Sequence, residues 1–84
     1  MHAVIYSKTK SHCPYCEKAL VLFEKNGISF TKISVEDNRD ECFTKVREAT
    51  GADPKTAPQI FIDETYVGGH DELVKWLARR ETVG

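Results

Sequence analysis

A proline set between two cysteines three residues apart, Cys13-Pro14-Tyr15-Cys16, fixes the point at which this chain leaves a strand and enters a helix. Proline has no backbone N–H and a φ locked near the helical value. It therefore fits the first turn of a helix, where that N–H would go unused. Before it, Ala3-Val4-Ile5-Tyr6 is short, apolar and partly β-branched, which predicts a buried strand, and the polar Ser7 to His12 predicts a loop. After it, Cys16, Ala19, Leu20 and Phe23 fall on one helical face with Leu22 flanking, and Asn26-Gly27 stops the helix with Gly27 as a left-handed cap.

The same reading continues to the end of the chain. Phe30 to Val35 alternates apolar with polar residues and predicts a second strand. Asp37 or Asn38 caps a second helix with Phe43, Val46 and Ala49 as its apolar stripe, and Gly51 ends it. Ala52 to Ala57 is a loop, Gln59-Ile60-Phe61-Ile62 a strand, Asp63-Glu64 a turn, and Thr65-Tyr66-Val67 the returning strand of a hairpin. Gly68-Gly69 breaks the pattern. Asp71 to Arg80 is a last helix, with Leu73, Val74 and Leu77 toward the core and Trp76 at its margin.

The order β-α-β-α-β-β-α belongs to the α/β class. The first β-α-β predicts a right-handed parallel crossover, and the short Asp63-Glu64 turn makes the last two strands antiparallel. A four-stranded mixed sheet flanked by three helices follows. With no repeat, low-complexity tract or linker, the expectation is a single domain over residues 1–84.

Charge and length exclude several function classes. A formal charge of −1 argues against general binding to nucleic acid or anionic membranes. No apolar run approaches the roughly 20 residues that span a bilayer, and the N-terminus lacks the apolar core of a secretory signal. A soluble, cytoplasmic monomer is expected. The three cysteines are an odd number, unlike the even, spread set of a disulfide-stapled secreted protein. In a reducing compartment a lone C-x-x-C is catalytic or metal-binding more often than structural.

Placing Cys13 at a helix N-terminus gives it chemistry. A thiol with an ordinary pKa of about 8.5 is only a few per cent ionised at neutral pH. Unused amides and the helix dipole favour an anion at this end, and C-x-x-C thiols so placed have pKa values of roughly 3.5–7.5. Lys10, three residues earlier, adds positive charge. Cys13 is the expected nucleophile. Cys16, one turn further in, is the expected resolving thiol, which attacks a mixed disulfide on Cys13 and releases the reduced product. Tyr15 is either a substrate contact or an exposed aromatic with no role. A zinc site would need four ligands. Cys42, His2, His12 and His70 are the remaining candidates, and none has paired ligand spacing, so no metal is expected.

Taken together, these motifs resemble the dithiol glutaredoxins over nearly the whole chain. Cys13-Pro14-Tyr15-Cys16 matches that family's C-P-Y-C. Thr56-Ala57-Pro58-Gln59 resembles its T-V-P segment, and Gly68-Gly69-His70-Asp71-Glu72-Leu73 resembles its G-G-x-D-D-L segment. The resemblance implies a thioredoxin-like fold and a cis peptide before Pro58, turning the Ala57 backbone toward Cys13, where a substrate could pair as one added strand. It also implies glutathione as co-substrate, with no tightly bound cofactor. On this implication Lys10 faces the glycine carboxylate, Tyr15 and Thr56 line the groove, and Ala57 beside Pro58 pairs with the cysteine backbone. Gly69, His70 and Asp71 hold the γ-glutamyl end through helix-start amides and the Asp71 carboxylate. Asp71 can also cap the helix, and the two roles coexist.

Departures from the family pattern leave some positions open. Ala57 stands where valine is usual. The loop before Cys13 is about two residues longer than usual, so Lys10 fits by its spacing from Cys13 and Lys8 by its distance from the strand; Lys10 is preferred. His12 either raises the thiolate content of Cys13 or is merely solvated. Cys42 is expected as a small, half-buried or core residue rather than a third redox group.

The resulting expectation is a glutathione-dependent thiol–disulfide oxidoreductase acting on protein disulfides and glutathione mixed disulfides, with ribonucleotide reductase as one implied partner. One alternative is a small carrier reduced directly by thioredoxin reductase. That family's W-C-G-P-C is absent. The other is an iron–sulfur module bridging two chains through Cys13 and glutathione. The family's C-G-F-S forms, or forms with a small residue at the proline position, mainly carry that role, and Pro14 argues against it.

Overall fold

Seven elements follow in the expected order: β1 (His2–Ser7), α1 (Pro14–Lys25), β2 (Ser29–Ser34), α2 (Arg39–Thr50), β3 (Gln59–Ile62), β4 (Thr65–Gly68) and α3 (His70–Thr82). The structure is a computed structural model that describes residues 1–82, with side chains through residue 79; residues 83–84 of the expected 1–84 unit lie outside the described residues. The strands form one mixed four-stranded sheet in the order β2-β1-β3-β4. β1 runs parallel to β2, with Ala3 opposite Phe30, and antiparallel to β3, with Ala3 opposite Ile62. β3 and β4 are antiparallel.

The two-residue period of a strand divides β1 between two cores. Ala3 and Ile5 join Ala19, Phe23, Ile60, Ile62, Leu73 and Leu77 on the face covered by α1 and α3. Val4 and Tyr6 turn to the other face, with Cys42, Val46 and Phe61 under α2. Local signals end the elements. At Gly27, with φ +65°, the Gly27 N–H reaches the Glu24 carbonyl (3.3 Å) and the Ile28 N–H reaches the Phe23 carbonyl (2.9 Å). This left-handed cap needs glycine, and Ile28 packs back into the same core as Phe23. Asp63 and Glu64 both adopt positive φ (50° and 69°), as a two-residue hairpin turn of matching twist requires.

Three details differ from the sequence reading. In α2 the buried stripe is Cys42 and Val46, and Ala49 is exposed. Phe43 is half-buried, with the Arg39 and Arg47 guanidinium carbons 5.1 and 5.6 Å from its ring centre. In α3, Val74 is 45 % exposed, while Leu73 and Leu77, four residues apart, point to the core and Trp76 flanks it. Asn38 does occupy the N-cap of α2, but its side chain donates to the Ser34 carbonyl (3.0 Å) rather than accepting a helix amide. No helix among the described residues is long and apolar enough to cross a membrane.

Candidate active site

Cys13 is the N-cap of α1, with Pro14 in the first turn and Cys16 one turn inside. The two sulfurs form a disulfide, with Cα atoms 5.3 Å apart. Cys16 is 3 % exposed, whereas Cys13 is partly open to solvent. That asymmetry gives the pair a reachable sulfur and a protected one. No side chain caps the helix start. The Tyr15 and Cys16 amides have no carbonyl one turn back inside the helix, so they are placed to stabilise negative charge at Cys13 when the disulfide opens.

Beside the disulfide lies a shallow cleft of about 240 Å³, lined by Tyr15, Thr56, Ala57, Pro58, Gly69, His70, Asp71 and Glu72. Seven of these were singled out in the sequence, and three separate elements bring them together. The Ala57–Pro58 peptide is cis, as the resemblance implied. Gly68 lets α3 start close by: its φ is +118°, and a Cβ there would lie 2.9 Å from the Cβ and Cγ of Glu72. The Gly69 carbonyl accepts from the Leu73 N–H (3.0 Å), so the amides of the first α3 turn have no carbonyl one turn back inside the helix. The His70 ring sits 5.6 Å from the Tyr15 ring, with Nδ1 3.2 Å from Asp71 Oδ1, and the Asp71 side chain is 80 % exposed.

Lys10 stands outside this cleft. Its Nζ donates to Asp37 Oδ1 at 2.7 Å, a contact that raises its pKa and lowers that of Asp37. Lys8 instead lines a second groove, of about 270 Å³, together with Arg39, Phe43, Lys55, Thr56 and Ala57. Thr56 and Ala57 border both spaces, so the segment before the cis proline is a ridge with a cleft on each side. His12 is exposed, directly before Cys13.

Two supporting residues were not anticipated. Glu36 ties down the long loop before Cys13 by accepting from the Thr9 N–H (2.7 Å), the Lys10 N–H (2.8 Å) and the Thr9 hydroxyl (3.2 Å). The amides of Lys10 and Thr9 hold its carboxyl below the usual carboxylate range. Gln59, 4 % exposed, donates from Nε2 to the Thr56 carbonyl (2.7 Å) and accepts from the Tyr66 hydroxyl (2.6 Å), bracing the ridge from beneath. A polar residue opening an otherwise apolar strand was the available signal for Gln59. Glu36 offered none, because its partners lie about 26 positions away.

Cys42 is fully buried, and desolvation followed by the neighbouring Glu41 charge raises its pKa, so it is poorly suited to attack. Among the described residues no group of three His, Cys, Asp or Glu side chains is placed to hold a metal ion.

Comparison with known proteins agrees with this geometry. The glutaredoxin family model matches residues 3–67. Glutaredoxin 1 of Rickettsia bellii is 38 % identical over 74 residues, covering 87 % of this chain and 74 % of the relative. Glutaredoxin 3 of Escherichia coli K12 is 35 % identical over 71 residues, covering 84 % and 82 %. Among solved structures, the buckwheat glutaredoxin–glutathione complex superposes with a TM-score of 0.73 at 26 % identity, over 96 % of this chain and 72 % of that one. With its C-x-x-C disulfide at the start of α1 and this match over most of its length, the chain belongs to the glutaredoxin family of thiol–disulfide oxidoreductases.

Proposed function

We infer that the chain uses glutathione as its electron source and reduces protein disulfides and glutathione mixed disulfides. The observation that carries this reading is the cleft beside the Cys13–Cys16 disulfide, walled by the cis Ala57–Pro58 segment on one side and the start of α3 on the other. The Ala57 N–H and C=O pair with the cysteine backbone of the tripeptide as an added strand. The Gly69 and His70 amides receive the γ-glutamyl carboxylate, and Asp71 takes its ammonium. Tyr15, Thr56 and Pro58 close the walls. The glycine carboxylate lies across the ridge. There, Lys8, Arg39 and Lys55 supply cations, whereas Lys10 is engaged by Asp37, which favours Lys8 for this role.

The reaction is a series of thiolate displacements. The Cys13 thiolate attacks one sulfur of a substrate disulfide, forming a mixed disulfide and releasing a substrate thiolate, which takes up a proton. With a protein disulfide, the Cys16 thiol loses its proton and displaces the second substrate sulfur from Cys13. This leaves the substrate as a dithiol and the chain as the Cys13–Cys16 disulfide. Two glutathione thiols then restore the dithiol and leave as glutathione disulfide. With a glutathione mixed disulfide, Cys13 attacks the glutathione sulfur and expels the other thiol, and a second glutathione completes the cycle without Cys16. Ribonucleotide reductase, a protein disulfide substrate, fits the first route, and a reducing compartment such as the cytoplasm fits both.

A coupled assay with glutathione, glutathione reductase and NADPH tests this reading. Cys13→Ser removes all turnover. Cys16→Ser keeps turnover of the mixed disulfide of glutathione and 2-mercaptoethanol and loses reduction of protein disulfides. Turnover by the unaltered chain only with thioredoxin reductase contradicts the glutathione reading, and equal loss in both variants contradicts the division of labour.

A further inference from the structure

A third groove, of about 460 Å³, leaves the active site along the other side of α1 and is lined by Pro14, Glu17, Lys18, Val21, Leu22 and His70. The five α1 residues fall at helical spacing on one face, and His70 of α3 forms the opposite wall. Among the described residues, the large apolar side chains left exposed are Met1, Tyr15, Val21 and Val74. One of these four lines the groove, and two more neighbour its lining residues by ring contact or by helical spacing. Val21 lines the groove. Tyr15 stands at its mouth, against His70 (5.6 Å) and under the Lys18 ammonium (5.2 Å). Val74, 45 % exposed, is four residues beyond His70 and so on the same side of α3.

We propose that this α1–α3 groove docks the polypeptide part of a disulfide substrate by taking an apolar side chain near the substrate's cysteine. The inference rests on the glutathione reading above and adds the surface that selects the protein. Continuity carries it. The groove begins at Pro14, the residue after Cys13, and shares His70 with the cleft assigned to glutathione. When Cys13 attacks the glutathione sulfur of a glutathionylated protein, the tripeptide fills its cleft and the expelled chain must lie to the other side. The charges on the groove, Glu17 and Lys18, cancel, and the rest of its α1 wall is Pro14, Val21 and Leu22. That lining suits a neutral apolar side chain better than a second glutathione, which is charged at both ends. The seven helical steps from Pro14 to Val21 span about 10 Å. Roughly three residues of extended chain cover that distance, so the docked side chain sits about three positions from the substrate cysteine.

The test uses glutathionylated peptides with leucine three positions before the cysteine, three positions after it, or serine at both. The unaltered chain should turn over one leucine peptide with a kcat/KM about fivefold above the serine peptide, the gain expected from partial burial of one leucine side chain. Val21→Glu and, independently, Val74→Glu should abolish that preference. Both positions are exposed, and turnover of the glutathione–mercaptoethanol mixed disulfide should stay within about twofold in each variant. Absence of any preference, or a preference that survives both variants, overturns the docking surface and leaves the glutathione reading intact. A concentration-dependent dimer of the unaltered chain that Val21→Glu dissociates overturns it in favour of a second copy. Failure of the unaltered chain to turn over the small mixed disulfide with glutathione overturns both.

Discussion

Replacing Gln59 with leucine tests whether the ridge before the cis proline is held in place from below. The substitution roughly conserves volume at a site 4 % exposed and removes two hydrogen bonds, one to the Thr56 carbonyl and one from the Tyr66 hydroxyl. A hydrogen bond of this kind is worth about 1 kcal/mol net. Thr56 is exposed and Tyr66 half-buried, so water can reach both orphaned groups. The total therefore stays near 2 kcal/mol rather than reaching a full burial penalty. For a domain of this size that lowers Tm by about 8–16 °C. The functional effect is separate. With its carbonyl tether gone, Thr56 moves Ala57, and KM for glutathione should rise about fivefold, the equivalent of one backbone hydrogen bond. Tyr66→Phe is the control. It removes only the bond on the far side of Gln59, costs about 1 kcal/mol, and should leave KM for glutathione unchanged. Thermal denaturation and the coupled glutathione assay on both variants give the comparison. If Gln59→Leu raises KM no more than Tyr66→Phe does, Gln59 is only a core residue and the bracing argument fails.

Two further outcomes follow from buried or tethered groups away from the cleft. The Ser7 hydroxyl is fully buried at the end of β1 and has no hydrogen-bond partner. Ser7→Ala should therefore stabilise the chain by about 1 kcal/mol, and a fall in Tm would show that the hydroxyl has a partner. Glu36 has a folded-state pKa below its ordinary value because it accepts the Lys10 and Thr9 amides. The loop tether is therefore complete above the ordinary carboxylate pKa of about 4.3 and is lost as pH falls through the lower folded value. The Thr9 and Lys10 amide resonances should shift together only in that lower range, and a midpoint at or above the ordinary value contradicts the tether.

Much of the fold was legible because local chemistry and periodicity agreed. Pro14 marked the start of α1, Gly27 its end, and the Asp63-Glu64 turn fixed the hairpin. The strands were marked by short apolar, partly β-branched runs, whereas the division of their residues between the two cores came from the fold. The helices were harder at single positions. α2 has so few apolar residues that its buried stripe rests on Val46, which the expected stripe included, and Cys42, while the Phe43 and Ala49 of that stripe are half-buried and exposed. Phe43 lies between two guanidinium groups, a contact no hydrophobic periodicity reports. Val74 sits one residue past Leu73, about 100° around the helix, and is 45 % exposed. At the site, the residues of the cleft were found through their motifs. Lys10 illustrates the limit: spacing along the chain placed it near Cys13, but the longer loop carries its ammonium to Asp37, held there by the Glu36 contacts that pin the loop backbone. Such pairings join residues far apart in sequence, and only the folded path of β2 brings them together.

Rates of iodoacetamide alkylation at each cysteine of the reduced chain, followed across pH, measure the charge state on which the chemistry depends. Cys13 should ionise first, with a pKa within about 3.5–7.5, and the buried Cys16 should react only above the ordinary thiol value of about 8.5. If Cys13 titrates no lower than an unperturbed thiol, or Cys16 ionises before it, the start of α1 does not stabilise the nucleophile.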